Sequence, residues 1–147
     1  MKKVIRLTVI LFFFLMAWLI LRISVPILKH NGVAEYWMET LRAQRQQSAR
    51  RVDQYSKIGL FVGDGNHCDI LCIVFWKIDH DYSKEESMKF FEFMGTDVIF
   101  HDEKEKIDDF VKEFSLNNIR NKFYSDGYSY FIYTWTSSSS NGDIRCW

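Results

Sequence analysis

The sequence predicts an α+β protein in which a single N-terminal transmembrane helix and a helical connector precede a small antiparallel sheet with about two packed helices. Three observations support this fold class. The run from Leu7 to Leu21 is almost wholly apolar. The segment Asp69 to Ile78 is apolar at both alternating positions, which is typical of a central strand covered on both faces. Residues 107 to 114 follow the spacing of an amphipathic helix.

The apolar run predicts a membrane anchor, although it is short for that purpose. As a helix, Leu7 to Leu21 spans about 22 Å, whereas the hydrocarbon core of a bilayer is about 30 Å thick. Two extensions lengthen it. The helix can begin at Val4, or it can continue to Leu28 with the Arg22 side chain drawn toward the headgroups.

A cleaved secretory signal is the main alternative to an anchor, because Lys2 and Lys3 precede the run. Arg22 follows the run directly, however, and no small-x-small triplet stands where cleavage needs one. We therefore expect an uncleaved signal-anchor, crossing the bacterial inner (cytoplasmic) membrane once. The basic N-terminal flank favours a cytoplasmic N-terminus and a globular domain on the outer (periplasmic) side.

Charge divides the chain into three parts. Residues 1–33, the cytoplasmic stub and anchor, hold five basic side chains and no acidic one; residues 34–57, the connector, hold five basic and three acidic. Residues 58–147, the globular domain, hold nine basic and sixteen acidic. The basic anchor suits anionic membrane lipid, whereas the acidic domain argues against nucleic acid as a partner.

The composition from Ala34 to Ser56 predicts a helix, rich in Ala, Leu, Gln, Arg and Glu. It is either a dimerising stalk or, as we favour, a connecting helix that packs one side on the domain. A strand from Gly59 to Gly63 then forms a hairpin with the strand from Asp69 to Ile78.

The remaining elements follow from capping and periodicity. Asp102 is the expected cap of the amphipathic helix. The expected elements are a helix over 83–94, a strand over 97–100, the helix with an apolar stripe at 107, 110, 111 and 114, a strand over 128–136, and a terminal segment over 144–147 that pairs back on the sheet.

The hairpin tip is the richest polar segment of the chain. Its side chains are Asp64, Asn66, His67 and Asp69. The spacing does not fit a calcium-binding EF-hand loop, and Cys68 with Cys72 lacks the second pair that a zinc site needs. The sequence therefore predicts no metal and no cofactor here, only a polar turn.

The three cysteines predict one disulfide if the domain faces an oxidising compartment. Cys68 and Cys72 lie on one strand, so their Cα atoms stand about 13 Å apart, beyond the reach of a bridge. Any intramolecular bridge must then use Cys146. We favour Cys68 as its partner, because Cys72 belongs to an apolar row.

No catalytic motif is legible in this sequence. We therefore expect a non-enzymatic, membrane-anchored binding or interaction module, such as an immunity or exclusion factor or a subunit of an envelope complex, with a protein partner. The alternative is a small envelope hydrolase that uses His67 with Asp64 or Asp69.

Overall fold

The α+β prediction is confirmed by a computed structural model of the chain. The structure describes residues 2–44, 49–60, 67–78, 84–86, 88–89, 97–139 and 143–146. In these residues a long N-terminal helix is followed by a four-stranded antiparallel sheet and short helices.

Helix α1, Lys2–Ala43, is about 63 Å long at the usual helical rise. It is long and apolar enough to cross a membrane. Large apolar side chains are exposed along it from Ile5 to Leu28, so the exposed apolar stretch extends beyond the run from Leu7 to Leu21 in both directions. Burial begins at Pro26 and His30, where α1 meets the domain.

The second half of α1 packs on one face of the sheet. Ala34, Met38 and Leu41 are buried at helical spacing, so this part of the connector packs on the domain, as we favoured.

The predicted helix through Ser56 is wrong from Ala49 onward, because strand β1 occupies Ala49–Gly59; residues 45–48 lie outside the described residues. Each residue of β1 except the bulged Val52 pairs with strand β2, His67–Ile78. This tertiary pairing overrides the moderate helix propensity of the segment.

The sheet has the order β1-β2-β4-β3, where β3 is Asp97–Phe100 and β4 is Tyr130–Ser139. All pairs are antiparallel. Central strand β2 is buried on both faces, as predicted, and it forms the expected hairpin with β1. The first strand of that hairpin ends at Gly59 instead of beginning there, and residues 61–66, which include the rest of the predicted strand, lie outside the described residues.

Helix α2, Lys104–Glu113, and a 3-10 helix, Asn117–Tyr124, cover the other face of the sheet. The predicted stripe of Ile107, Phe110, Val111 and Phe114 is buried. It packs with aromatic rings of the strands and the 3-10 helix, namely Phe75, Phe123, Phe131 and the partly buried Tyr133. The sheet is therefore the middle layer of three.

Two smaller predictions are corrected. Helix α2 is preceded by Glu103, not by Asp102, and has no side-chain cap; Glu103 Oε2 instead accepts a hydrogen bond from the Phe100 N–H. The segment Ile144–Cys146 is a short 3-10 helix and not a strand, and side-chain bonds attach it to α1 and β2. Of the predicted helix over 83–94, residues 84–86 and 88–89 are helical, and the rest lies outside the described residues.

Candidate functional site

The domain has two ends, which differ in their polar groups. We call "anchor end" the end where β2 begins, β4 finishes and α1 leaves its exposed apolar half. We call "far end" the opposite end, where α1 finishes at Ala43, β1 begins at Ala49 and β2 approaches Ile78. Polar clusters lie at both ends.

At the anchor end, the C-terminal turn is fastened to both β2 and α1. A disulfide joins Cys68 to Cys146, with Cα atoms 5.0 Å apart, which is the pair that the sequence favoured. His30 of α1 donates from Nδ1 to Asp143 Oδ2 at 2.8 Å, and its Nε2 lies 3.0 Å from the Ser138 hydroxyl. Both residues of the His30–Asp143 pair are essentially fully buried.

Arg145 completes this cluster. Its guanidinium donates to both carboxylate oxygens of Asp143, at 3.0 and 2.6 Å, and reaches α1 at Asn31 Oδ1, 2.8 Å away. Hydrogen bonds from Arg145, and then from His30, hold the pKa of the Asp143 carboxyl far below its usual range. We call these residues, His30, Cys68, Asp143, Arg145 and Cys146, the latch.

Four atoms of the latch have the chemistry of metal ligands. The candidate ligand atoms of His30, Cys68, Asp143 and Cys146 all lie within 4.8 Å of one another. The two sulfurs are bonded to each other, however, and the histidine and carboxylate are hydrogen-bonded within the protein. The arrangement therefore fits a structural fastening between the helix and the domain better than a metal centre.

The predicted polar turn is only partly described. Asp64 and Asn66 lie outside the described residues. His67 and Asp69 stand at the start of β2, with His67 Nε2 3.6 Å from Asp69 Oδ1, and the Asp69 side chain is fully buried. Burial lowers the pKa of the nearby Lys57 amine and the charge of Asp69 opposes that shift, while Lys57 Nζ donates to the Phe114 and Ser115 carbonyls.

Cys72 remains a free thiol on the face of the sheet that α1 covers. Its Sγ donates to the carbonyl of Ala34 at 3.3 Å. Burial raises the pKa of this thiol to about 11, so Cys72 behaves as a small apolar core residue, as its place in the apolar row predicted.

A groove runs between α1 and the edge strand β1. Its volume is about 440 Å³. Both polar and apolar side chains line it, and they include Asn31, Glu35, Met38, Arg42, Gln54 and Ile58. Strand β1 lies at the edge of the sheet, so along one side its main-chain N–H and C=O groups have no partner strand within the described chain.

A second cavity, of about 350 Å³, lies at the far end. Arg42 lines both spaces. The other lining residues are Ala49, Arg50, Arg51 and Trp76. We call this second space the arginine cavity.

Comparison with known proteins gives no relative from which to infer a role. No family model matches the chain, and no curated protein or solved structure is significantly similar to it. The candidate sites therefore rest on the geometry alone.

Sequence reasoning found the disulfide but missed the rest of the latch and the arginine cavity. His30 lies 113 positions before Asp143, and a lone histidine beside an apolar run carries no local pattern. In the sequence, Arg42, Arg50 and Arg51 stand out only as part of a basic connector. The meeting of Arg42 and Arg51 at the Gln54 side chain depends on β1 being a strand, which the composition did not indicate.

Proposed function

We propose that this chain is a single-pass membrane protein without enzymatic activity, whose domain binds another protein along the groove between α1 and β1. The observation that carries the proposal is the continuity of α1. One helix presents exposed apolar side chains as far as Leu28 and supplies the buried Ala34, Met38 and Leu41 to the core of the domain.

This continuity has a mechanical consequence. A flexible tether would let the domain tumble, whereas a helix built into the core, and locked by the latch, fixes the groove relative to the bilayer. Because the apolar stretch from Ile5 to Leu28 can hold about 36 Å of helix in lipid, the groove would begin at the membrane surface and extend away from it. A fixed orientation lowers the entropic penalty of binding a partner in the same envelope.

The groove suits a partner that presents an extended segment. An edge strand can pair with an added strand through main-chain hydrogen bonds, while the groove beside it receives alternate side chains. Strand β1 offers eleven residues for this. We place the domain on the outer side of a bacterial inner membrane, where an oxidising compartment would maintain the Cys68–Cys146 disulfide.

Hydrolysis by His67 with Asp69 is the weaker alternative. Their nitrogen and oxygen are 3.6 Å apart, longer than a catalytic hydrogen bond, and neither residue lines any cavity described above. Within the described residues, these two groups form a polar contact at a strand end, without a concave substrate site around them.

Site-specific photo-crosslinking in cells tests the binding surface. A photoreactive amino acid replaces Ser56, which is exposed in the groove on β1, and in a matched control it replaces Glu113, which is exposed on α2 across the sheet. We expect a discrete adduct with one protein from position 56 and none from position 113. Equal labelling at both positions, or no adduct at position 56 in cells that contain the chain, would contradict the proposal.

A further inference from the structure

Four buried side chains of the latch bring potential metal ligands together from three distant parts of the chain. His30 belongs to α1, Cys68 to β2, and Asp143 and Cys146 to the C-terminal turn. Each is at most 3% exposed, and their candidate ligand atoms all lie within 4.8 Å of one another. The two cysteines are joined as a disulfide. Reduction of that bond would leave two thiols beside a buried histidine and a buried carboxylate.

The spacing of these atoms fits one tetrahedral zinc ion. Zinc binds sulfur at about 2.3 Å and histidine nitrogen or carboxylate oxygen at about 2.0–2.2 Å, so the ligand atoms of a tetrahedral site stand about 3.3–3.8 Å apart. His30 Nδ1 and Asp143 Oδ2 are 2.8 Å apart, and an ion between them would widen this distance by about half an ångström. The Cα atoms of Cys68 and Cys146 are 5.0 Å apart, so rotation about their Cα–Cβ bonds can part the sulfurs to about 3.8 Å once the disulfide is broken.

The donor set favours zinc over the hard cations. Thiolate, imidazole and carboxylate are the ligands that zinc takes in proteins, and four protein ligands are typical of a structural zinc site. Calcium and magnesium are bound mainly by oxygen, and among the four residues only Asp143 offers it. A closed zinc site is therefore the metal centre that this cluster can form.

The neighbours of the cluster suit such an ion. A histidine that binds zinc usually donates its other ring N–H to a nearby oxygen, and the Ser138 hydroxyl lies 3.0 Å from His30 Nε2. The Asp143 carboxylate is oriented by N–H donors of Arg145 at 2.6 to 3.0 Å. A zinc ion with two thiolates and one carboxylate carries a single negative charge. The Arg145 guanidinium offsets that charge, which would otherwise be costly to bury.

We propose that the latch is a redox-dependent zinc site, in which the reduced cysteines, His30 and Asp143 together bind one Zn²⁺ ion. A dithiol supplies the two electrons and two protons that open the Cys68–Cys146 bond, and is itself oxidised to a disulfide. Zn²⁺ then displaces the proton of each thiol, and both protons are released to solvent. His30 stays neutral, with Nδ1 bound to the ion and its proton on Nε2, facing Ser138.

The two forms of the latch would hold the same elements together. The disulfide attaches the C-terminal turn to β2, and the zinc ion would attach both of them to His30 of α1 as well. The domain would therefore stay fixed on its membrane helix in a reducing compartment, where disulfides are rare. This inference does not depend on the groove or on a partner protein, because metal binding alone tests it.

Cobalt titration of the reduced full chain tests the site. Co²⁺ replaces zinc in tetrahedral sites, where it absorbs visible light strongly and gives a thiolate charge-transfer band in the near ultraviolet. The chain is reduced in micelles with a dithiol and transferred to argon-saturated buffer without reductant. We expect both bands to reach a plateau at one Co²⁺ per chain, to disappear when Zn²⁺ is added, and to be absent from the oxidised chain.

Two histidines provide a matched pair of variants. His30→Ala removes a proposed ligand, whereas His67→Ala removes the neighbour of Cys68 whose Nε2 lies 3.6 Å from Asp69. His30→Ala should weaken cobalt binding by at least about a hundredfold, since loss of an outer partner alone weakens metal binding by about 10–100-fold. His67→Ala should bind cobalt as the wild type does, and so should Cys72→Ala, which removes the free thiol.

The oxidised form of each variant shows by tryptophan fluorescence whether the domain still folds. If His30→Ala does not fold, Cys146→Ser takes its place and should reduce the charge-transfer band to about half or less, because one of the two thiolate ligands is lost.

Stability gives a second measurement, which needs no variant. Zn²⁺ should raise the urea midpoint of the reduced wild type and leave that of the oxidised wild type unchanged, because an ion that binds only the folded chain stabilises it. The absence of the cobalt bands or of this rise in the reduced wild type would overturn the proposal. Cobalt binding that is equal in His30→Ala and the wild type, or that is lost in His67→Ala or Cys72→Ala, would overturn it as well.

Discussion

Replacing Cys146 by Ser removes the disulfide that attaches the C-terminal turn to strand β2. The disulfide closes a loop with a sequence separation of 78 residues, for which chain entropy gives about 4.5 kcal/mol of stabilisation. Removal of a native disulfide from a small domain typically costs about 2–5 kcal/mol of stability. Since domains of this size are stable by roughly 5–15 kcal/mol, we expect the variant to lose a large share of its stability.

Urea unfolding of the full chain in micelles, followed by tryptophan fluorescence, measures this loss. The wild-type midpoint should fall when a dithiol reductant is added, and Cys146→Ser should unfold at the reduced wild-type midpoint in either buffer. Replacing Cys72, the free thiol, by Ala should leave the effect of the reductant intact. A wild-type midpoint that does not respond to reductant, together with three free thiols in the unreduced protein, would refute the Cys68–Cys146 disulfide.

Three further predictions test separate parts of the structure. The pKa of Asp143 is lowered in the folded state, so the contribution of its charge to stability is present above the ordinary pKa of 3.8 and is lost as the pH falls below that value. Asp143→Asn should lower the free energy of unfolding by about 3–5 kcal/mol at neutral pH. In acid unfolding, the free energy of unfolding of this variant should fall less steeply with pH than that of the wild type. The Leu41 side chain is 1% exposed, so Leu41→Ala should lower the free energy of unfolding in urea by about 2–5 kcal/mol. The Tyr36 side chain is 63% exposed, so Tyr36→Ala should change the same quantity by less than about 0.5 kcal/mol. Equal effects of the two substitutions would contradict the packing of α1. The buried Cys72 thiol, with its pKa raised to about 11, should react with a maleimide only after unfolding, and mass spectrometry showing one fast native label on Cys72 would contradict its burial.

The parts of the fold that the sequence predicted are those where burial alone determines the pattern. Strand β2 is apolar on both faces because both faces are covered, and the stripe on α2 has one buried side. The composition of strand β1 predicts a helix instead, because β1 is an edge strand with mostly exposed or half-exposed side chains and so has no apolar alternation. Its conformation is determined by pairing with β2, a non-local interaction that local composition does not encode.

The same distinction applies to the candidate sites. The disulfide was predictable because the geometry of a strand excludes Cys68–Cys72, leaving Cys146 as the necessary partner. The pairing of His30 with Asp143 required knowing that α1 crosses the sheet beside the C-terminal turn. The arginine cavity required knowing the β1–β2 register, which sets Arg51 opposite Trp76.

Spin-label accessibility along α1 in lipid bilayers tests most directly the claim that one helix serves as both membrane anchor and domain core. Labels at Leu15, Leu41 and Glu39 sample an exposed apolar, a buried and an exposed polar position of the helix. We predict that the label at position 15 is accessible to oxygen but not to a water-soluble nickel chelate. The label at position 39 should be accessible to the chelate, and the label at position 41 should be shielded from both reagents. Chelate access at Leu15, or at Leu41, would contradict the account.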